Sequence, residues 1–162
     1  MKRILVLHGP NLDLLGEREP EIYGRETLAE LEARLAGEAG SLGLAISSFQ
    51  SNHEGALVDR LHRARDEADG VILNPGGLSH TSVSLRDAVA ALSLPVIEVH
   101  LSNTFAREPF RQVDLVAPVC RGVIIGLGPL GYLAALRTLA IILSADPNGV
   151  GEGTGETGHA SR

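Results

Sequence analysis

Glu98 and His100 stand two residues apart in an apolar run. On an extended strand, both side chains would point to one face. A carboxylate beside an imidazole fixes the ring's tautomer and favours its charged form, which suits proton donation near neutral pH. The same spacing also describes a structural ion pair at a strand end, and the two residues alone do not choose between these readings. Tyr23 offers the complementary chemistry. It sits among polar residues, with Arg18 five positions earlier. A guanidinium near a phenol favours the phenolate, which is a strong base. The other reading is a surface tyrosine beside a solvated arginine. Tyr132, by contrast, falls on an apolar helical stripe and reads as core.

Something must bring these groups together, and the hydrophobic pattern says what. Ile4–Leu7, a run starting at Leu44 and Ile46, Val71–Leu73, Val96–Val99 and Val123–Leu127 read as buried strands. Between and after them lie helix-period stripes: Leu28, Leu31 and Leu35; Leu57, Leu61, Ala64 and Ala68; Leu85, Val89 and Leu92; Tyr132, Leu136, Leu139 and Leu143. Short β-branched runs alternating with helices imply βαβ units and a parallel sheet. Right-handed crossovers then give a doubly wound α/β fold. A single domain of five strands in flavodoxin-like order is the expectation, spanning residues 1–146.

In such a sheet, ligands bind outside the carboxyl ends of the strands. Each of those ends carries a polar or glycine-rich cluster: His8-Gly-Pro-Asn11, Gln50-Ser-Asn-His53, Asn74-Pro-Gly-Gly77, His100-Leu-Ser-Asn103 and Gly126-Leu-Gly128. Two connections are long. One runs from about Gly9 to Arg25, beyond the usual βα length of about 2–6 residues, and Gly16 and Gly24 bracket its far half as expected of a lid. The other, Ser102 to about Cys120, carries Arg107 and Arg111.

Composition narrows the function. A net charge of −6 leaves no basic footprint for nucleic acid, and 3% aromatics are too few for base stacking. No apolar run reaches the roughly 20 residues of a membrane helix, and the start of the chain lacks the pattern of a signal peptide. One cysteine, Cys120, cannot form an internal disulfide, which suits a reducing cytoplasm. The histidines show no metal-binding spacing. Lys2 is the only lysine and precedes the first strand, at the sheet end away from the clusters, so imine chemistry has no well-placed nucleophile.

Gly126-Leu-Gly128-Pro-Leu-Gly131 matches the dinucleotide fingerprint, and a nucleotide- or flavin-binding module is the competing function class. The full signal needs an acidic residue about 20 positions on, at a strand end; here the chain runs through one helix into its tail. A tight turn allowing close helix–sheet packing explains the glycines. Asp13, Glu17, Glu19 and Glu21 in the first long connection would also repel a phosphate.

Taken in order, His8-Gly-Pro-Asn-Leu-Asp-Leu-Leu-Gly16, Arg18-Glu-Pro-Glu-Ile-Tyr23-Gly24, Gln50-Ser-Asn-His-Glu-Gly55, Asn74-Pro-Gly-Gly-Leu-Ser-His-Thr-Ser82 and Glu98-Val-His-Leu-Ser-Asn103 resemble the type II 3-dehydroquinate dehydratases (type II dehydroquinases). The resemblance runs from about Arg3 to Leu143. It implies a cytoplasmic, cofactor-free lyase taking water from 3-dehydroquinate, in the shikimate pathway or in quinate breakdown, and an assembly of four trimers. Under it, Tyr23 would be the base, Arg18 would stabilise its phenolate, and Asn11 would assist the enolate through an ordered water. His100, oriented by Glu98, would protonate the leaving hydroxyl. Asn74, Gly76, His80, Arg111 and the amides of Leu101 and Ser102 would hold substrate. Arg107 would complete the closed site, and Asp87 would reach across a trimer interface.

One stretch departs from that family's pattern. His-Ala-Arg-Glu-Glu-Phe-Arg, then a basic or aromatic pair and Ser, is expected. The chain has Phe105-Ala-Arg-Glu-Pro-Phe-Arg-Gln-Val-Asp114. Pro109 disfavours helical geometry at Glu108, which bears on how Arg107 and Arg111 are placed. Asp114 adds a negative charge near a loop meant for an anion. Residues 147–162, rich in Gly with Glu and Thr between and without apolar anchors, are expected to be disordered.

Overall fold

The structure, a computed structural model, describes residues 1–145. The reading of 147–162 as a disordered tail lies outside the described residues. Five parallel strands form one sheet: β1 (Lys2–His8), β2 (Leu44–Gln50), β3 (Gly70–Asn74), β4 (Val96–His100) and β5 (Gly122–Ile125). Their order is β2-β1-β3-β4-β5, the flavodoxin-like arrangement. The helices are α1 (Pro20–Tyr23), α2 (Leu28–Ser41), α3 (Glu54–Glu67), α4 (Val83–Ala90) and α5 (Leu130–Ser144).

Strand alternation divides the core in two. Ile4, Val6, Ile72, Ile97 and Val99 face one side, under Leu31 and Leu35 of α2 and Leu136 and Leu139 of α5. Leu5, Leu7, Val71, Leu73 and Val96 face the other, under Leu57 and Leu61 of α3 and Leu85 and Val89 of α4. Each side chain therefore has its face set by its position along the strand. Glu98 and His100 share parity with Val96, so they belong to the α3/α4 side.

Local chemistry sets the helix starts. Thr27 Oγ1 accepts the Glu30 amide at 3.2 Å while Glu30 Oε2 accepts the Thr27 amide at 2.8 Å, a reciprocal cap at the head of α2. Ser82 Oγ accepts the Leu85 amide at 2.9 Å and starts α4. Three boundaries differ from the sequence pattern. α4 ends at Ala90, and Leu92 lies in the following turn, its amide bonded to the Val89 carbonyl. α3 stops at Glu67 because Ala68 turns extended towards β3. β5 ends at Ile125 because Gly126 adopts a positive φ of 85°, where a Cβ would lie 3.1 Å from that of Asn103.

Candidate active site

The carboxyl ends of β1, β3 and β4 open onto one pocket. It is lined by Pro10, Asn11, Leu12, Arg18, Tyr23, Asn74, Gly76, Gly77, His80, His100, Leu101, Ser102, Thr104, Arg107 and Arg111. Eleven of the thirteen residues expected at the site are among these: all but Glu98, which is buried behind His100, and Asp87, which is exposed on α4.

The first connection folds over this pocket in two pieces. After β1, Asn11 takes a left-handed φ of 69°, which asparagine tolerates. Its amide donates to Asn52 Oδ1 at 2.9 Å, and Gln50 Nε2 donates to the Gly9 carbonyl at 3.2 Å. The polar cluster after β2 therefore braces the first loop instead of lining the pocket. Gly16 closes the loop's base, where a Cβ would lie 2.8 Å from the Arg25 carbonyl oxygen. The single turn α1 then presents Tyr23.

Two arginines flank that tyrosine, and they contact it differently. Arg107 Nη1 donates to the Tyr23 hydroxyl at 2.6 Å. Its guanidinium also lies 5.2 Å from the ring centroid. Arg18 lies 5.2 Å from the ring centroid too and pairs with Glu19 at 3.5 Å, with no hydrogen bond to the phenol oxygen. Arg107 takes the direct contact that the resemblance gives to Arg18. Sequence spacing cannot show this, because Arg107 is 84 residues away and arrives from the other loop.

Pro109 does not pull that loop away. Glu108 is extended, with φ −57° and ψ 144°, as a residue before proline prefers. Pro109–Gln112 then forms a 3-10 turn that returns Arg111 to the pocket. Glu108 Oε2 accepts from Arg111 Nε at 2.8 Å and stands 3.8 Å from Arg107 Nε, so one carboxylate ties both arginines. Three guanidiniums on one small pocket are a match for an anionic ligand.

On the third strand's turn, the Asn74 Oδ1 accepts the Gly76 amide at 3.1 Å. The Gly9 amide donates to the Asn74 carbonyl at 2.7 Å, and a Cβ on Gly9 would come within 2.5 Å of the Pro75 oxygen. Glycine is thus required where the ends of β1 and β3 meet. His80 Nδ1 lies 2.6 Å from the Val113 carbonyl, which can only accept, so Nδ1 carries the proton of that contact.

Glu98 and His100 do form the pair their spacing implies, with Oε1 and Nε2 at 2.6 Å. A third group joins them. Asp114 Oδ2 stands 3.5 Å from the same Nε2, a position no sequence motif indicated. Burial pushes the fully buried Glu98 carboxyl up to about 7, reinforced by Asp114 and opposed by the His100 hydrogen bond. Burial disfavours the His100 imidazolium, but bonds and charge from Asp114 and Glu98 outweigh it and raise the ring to about 9. Asp114 stays low, at about 2: burial opposes its charge, and hydrogen bonds from His100, the Ala117 and Val116 amides and Glu98 prevail. Behind the cluster, Cys120 Sγ points at Glu98 Oε2 from 3.8 Å, and burial raises its thiol far above the ordinary range.

Among the described residues, Glu98, His100 and Asp114 are the one such group with potential metal-ligand atoms all within 4.8 Å. Their contacts with one another and with backbone amides account for the cluster by hydrogen bonding. The glycine-rich turn after β5 also has a packing explanation: a Cβ on Gly131 would lie 3.3 Å from Val99 Cγ1, so α5 needs that glycine to approach the sheet. No described helix is long and apolar enough to cross a membrane.

Comparison with known proteins agrees with this architecture. Residues 2–140 match the family model described as dehydroquinase class II. The chain is 56% identical over 140 residues to the 3-dehydroquinate dehydratase of Pelotomaculum thermopropionicum, covering 86% of this chain and 97% of that one. It is 51% identical to the catabolic 3-dehydroquinase of Emericella nidulans over 140 residues, 86% of this chain and 92% of that one. The crystal structure of type II dehydroquinase from Propionibacterium acnes superposes with a TM-score of 0.85 at 44% identity, covering 87% and 97% of the two chains. With a family model spanning most of its length and relatives above half identity, this chain belongs to the class II dehydroquinase family.

Proposed function

We propose that the protein dehydrates 3-dehydroquinate to 3-dehydroshikimate by an anti elimination through an enolate. The observation that carries this reading is one pocket holding a tyrosine hydroxyl bound at 2.6 Å by a guanidinium and a histidine backed at 2.6 Å by a buried carboxyl. These are a base and an acid, the two groups an elimination next to a ketone requires.

Tyr23, as phenolate, takes the proton beside the ketone. The bond electrons pass to the carbonyl oxygen as an enolate, which Asn11 assists through an ordered water. The enolate then collapses and expels the hydroxyl as His100 gives it a proton, so the products are the conjugated enone and water. Arg107 holds the phenolate by direct contact, and Arg18 adds its charge over the ring. Asn74, Gly76, His80, Arg111 and the Leu101 and Ser102 amides hold the substrate's carboxylate and hydroxyls. Lys2, the only lysine, begins β1 at the far end of the sheet, so no lysine imine forms, and the proposed elimination calls on no cofactor.

The assembly in this reading is four trimers, with exposed Asp87 on α4 reaching a neighbour's site, and the enzyme works in the cytoplasm in the shikimate pathway or in quinate breakdown. The deciding experiment mixes the protein with 3-dehydroquinate and follows the enone's ultraviolet absorbance, with borohydride in a parallel tube. Turnover indifferent to borohydride, and lost in Tyr23→Phe, is the expected result. Borohydride inactivation, or full activity in Tyr23→Phe, overturns the mechanism.

A further inference from the structure

We propose that Asp114 is a positioning residue for the acid, clamping the Nε2 edge of His100 together with Glu98 and reserving the Nδ1 edge for the pocket. The inference rests on the dehydration reading, in which His100 is the proton donor.

Asp114 divides its two oxygens between two tasks. Oδ1 accepts the amides of Val116 and Ala117, each at 2.9 Å, and so caps the 3-10 turn Ala117–Val119. A serine hydroxyl, the side chain expected here from the family pattern, could do that with its single oxygen. The carboxylate brings a second oxygen, and it stands 3.5 Å from His100 Nε2. A cap alone does not call for this oxygen or its charge. No protein group bonds to Nδ1 of His100 among the described residues, and the ring lines the pocket. Nδ1 is therefore the nitrogen left to meet a leaving hydroxyl.

The clamp answers a charge problem. Arg18, Arg107 and Arg111 line the same pocket as His100, with His80 and Tyr23 also facing it. Three guanidiniums oppose a further positive charge on the imidazole. Glu98 is a poor sole counter-charge, because its side chain is 0% exposed, the Cys120 thiol meets its Oε2 only at 3.8 Å, and the Asp114 carboxylate close by opposes a second negative charge on it. Asp114 is 20% exposed and holds two amides, so it carries a negative charge at far less cost. Glu98 can then hold a proton in part while the cluster keeps the imidazolium. The raised Glu98 and the lowered Asp114 agree with this division.

The test is a titration of the His100 ring by nuclear magnetic resonance, without substrate, in the wild type, Asp114→Asn and Asp114→Ser; the signal is assigned by its loss in His100→Gln. Both Asp114 variants keep an oxygen for the cap. The clamp predicts that the ring's midpoint falls by at least about one unit in each folded variant. The basic limb of the kcat/KM profile then moves down with it. An unmoved midpoint overturns the proposal, and a lower melting temperature with an unmoved midpoint shows that Asp114 is a cap alone. Because the titration needs no turnover, a protein inert towards 3-dehydroquinate would sink the dehydration reading while the clamp is still decided.

Discussion

Two histidines end buried strands in this fold, and only one of them faces the pocket. His8 closes β1 and His100 closes β4; both are buried, and both have a carboxyl neighbour. His8 shares its face with Ile4 and Val6, under α2 and α5. Its Nδ1 lies 3.1 Å from the Tyr132 hydroxyl, and its Nε2 stands 3.5 Å from Glu32, whose carboxyl it draws below the ordinary range. Both polar edges of that ring are turned into the core. His100 lies on the opposite face, with one edge held by carboxyl groups and the other at the pocket. Burial and an acidic neighbour therefore do not distinguish the two rings; a ring nitrogen without a protein partner at a cavity does.

The comparison breaks most visibly in kinetics. His100→Gln should cut turnover of 3-dehydroquinate by roughly 10²–10⁴-fold, the usual contribution of a positioned acid, and leave cooperative unfolding intact. His8→Ala should show the reverse pattern. Deleting a fully buried ring that is bonded to Tyr132 should cost roughly 2–4 kcal/mol, read as a lower denaturant midpoint, while kcat stays near that of the wild type. A folded His8→Ala protein without activity would erase the distinction between the two rings.

Much of this contrast was legible in the sequence, and the part that was not has a physical reason. Strand alternation places Glu98 and His100 on one face, because the period of two is local. The same rule places His8 with Ile4 and Val6, yet it cannot say that α5 would bring Tyr132 against that ring from 124 residues away. The five apolar runs and the strand order are likewise products of local pattern and crossover handedness. Loop geometry is not local in this sense. Arg107 meets Tyr23, and Asp114 meets His100, only because two long connections fold onto the same strand ends. The spacing of Asp114 to Val116 and Ala117 could have announced a cap, but its second oxygen's partner lay beyond any spacing rule.

A pH series sharpens the comparison further. The folded protein raises His100 from 6.5 to about 9, so it binds that proton more tightly than the unfolded chain does. The resulting stability is fully present below pH 6.5 and is lost as pH rises through about 9. Melting temperatures of wild type and His100→Gln should therefore differ most on the acid side of this window and converge above it. Glu98 acts with the same sign between 4.5 and about 7. Asp114 acts with the opposite sign, its contribution disappearing as pH falls from 3.8 through about 2. A wild-type protein whose advantage over His100→Gln grows with alkalinity would contradict the charged clamp.

The smallest effect belongs to Tyr132→Phe. The phenol is fully buried, which raises it well above its ordinary range and keeps it neutral; it bonds His8 and lies beside Asn74 on the pocket side. Removing one oxygen leaves the ring packed among Leu136, Leu139 and Val99, and strips a partner from His8 Nδ1. The expected loss is about 1–2 kcal/mol in stability. Asn74 loosens slightly, so KM should rise modestly while kcat holds, because no proton of the reaction passes through this ring. A fall in kcat comparable to that of His100→Gln would mean that the His8–Tyr132 pair relays protons to the pocket through Asn74. The two histidines would then differ in distance from the chemistry and not in kind.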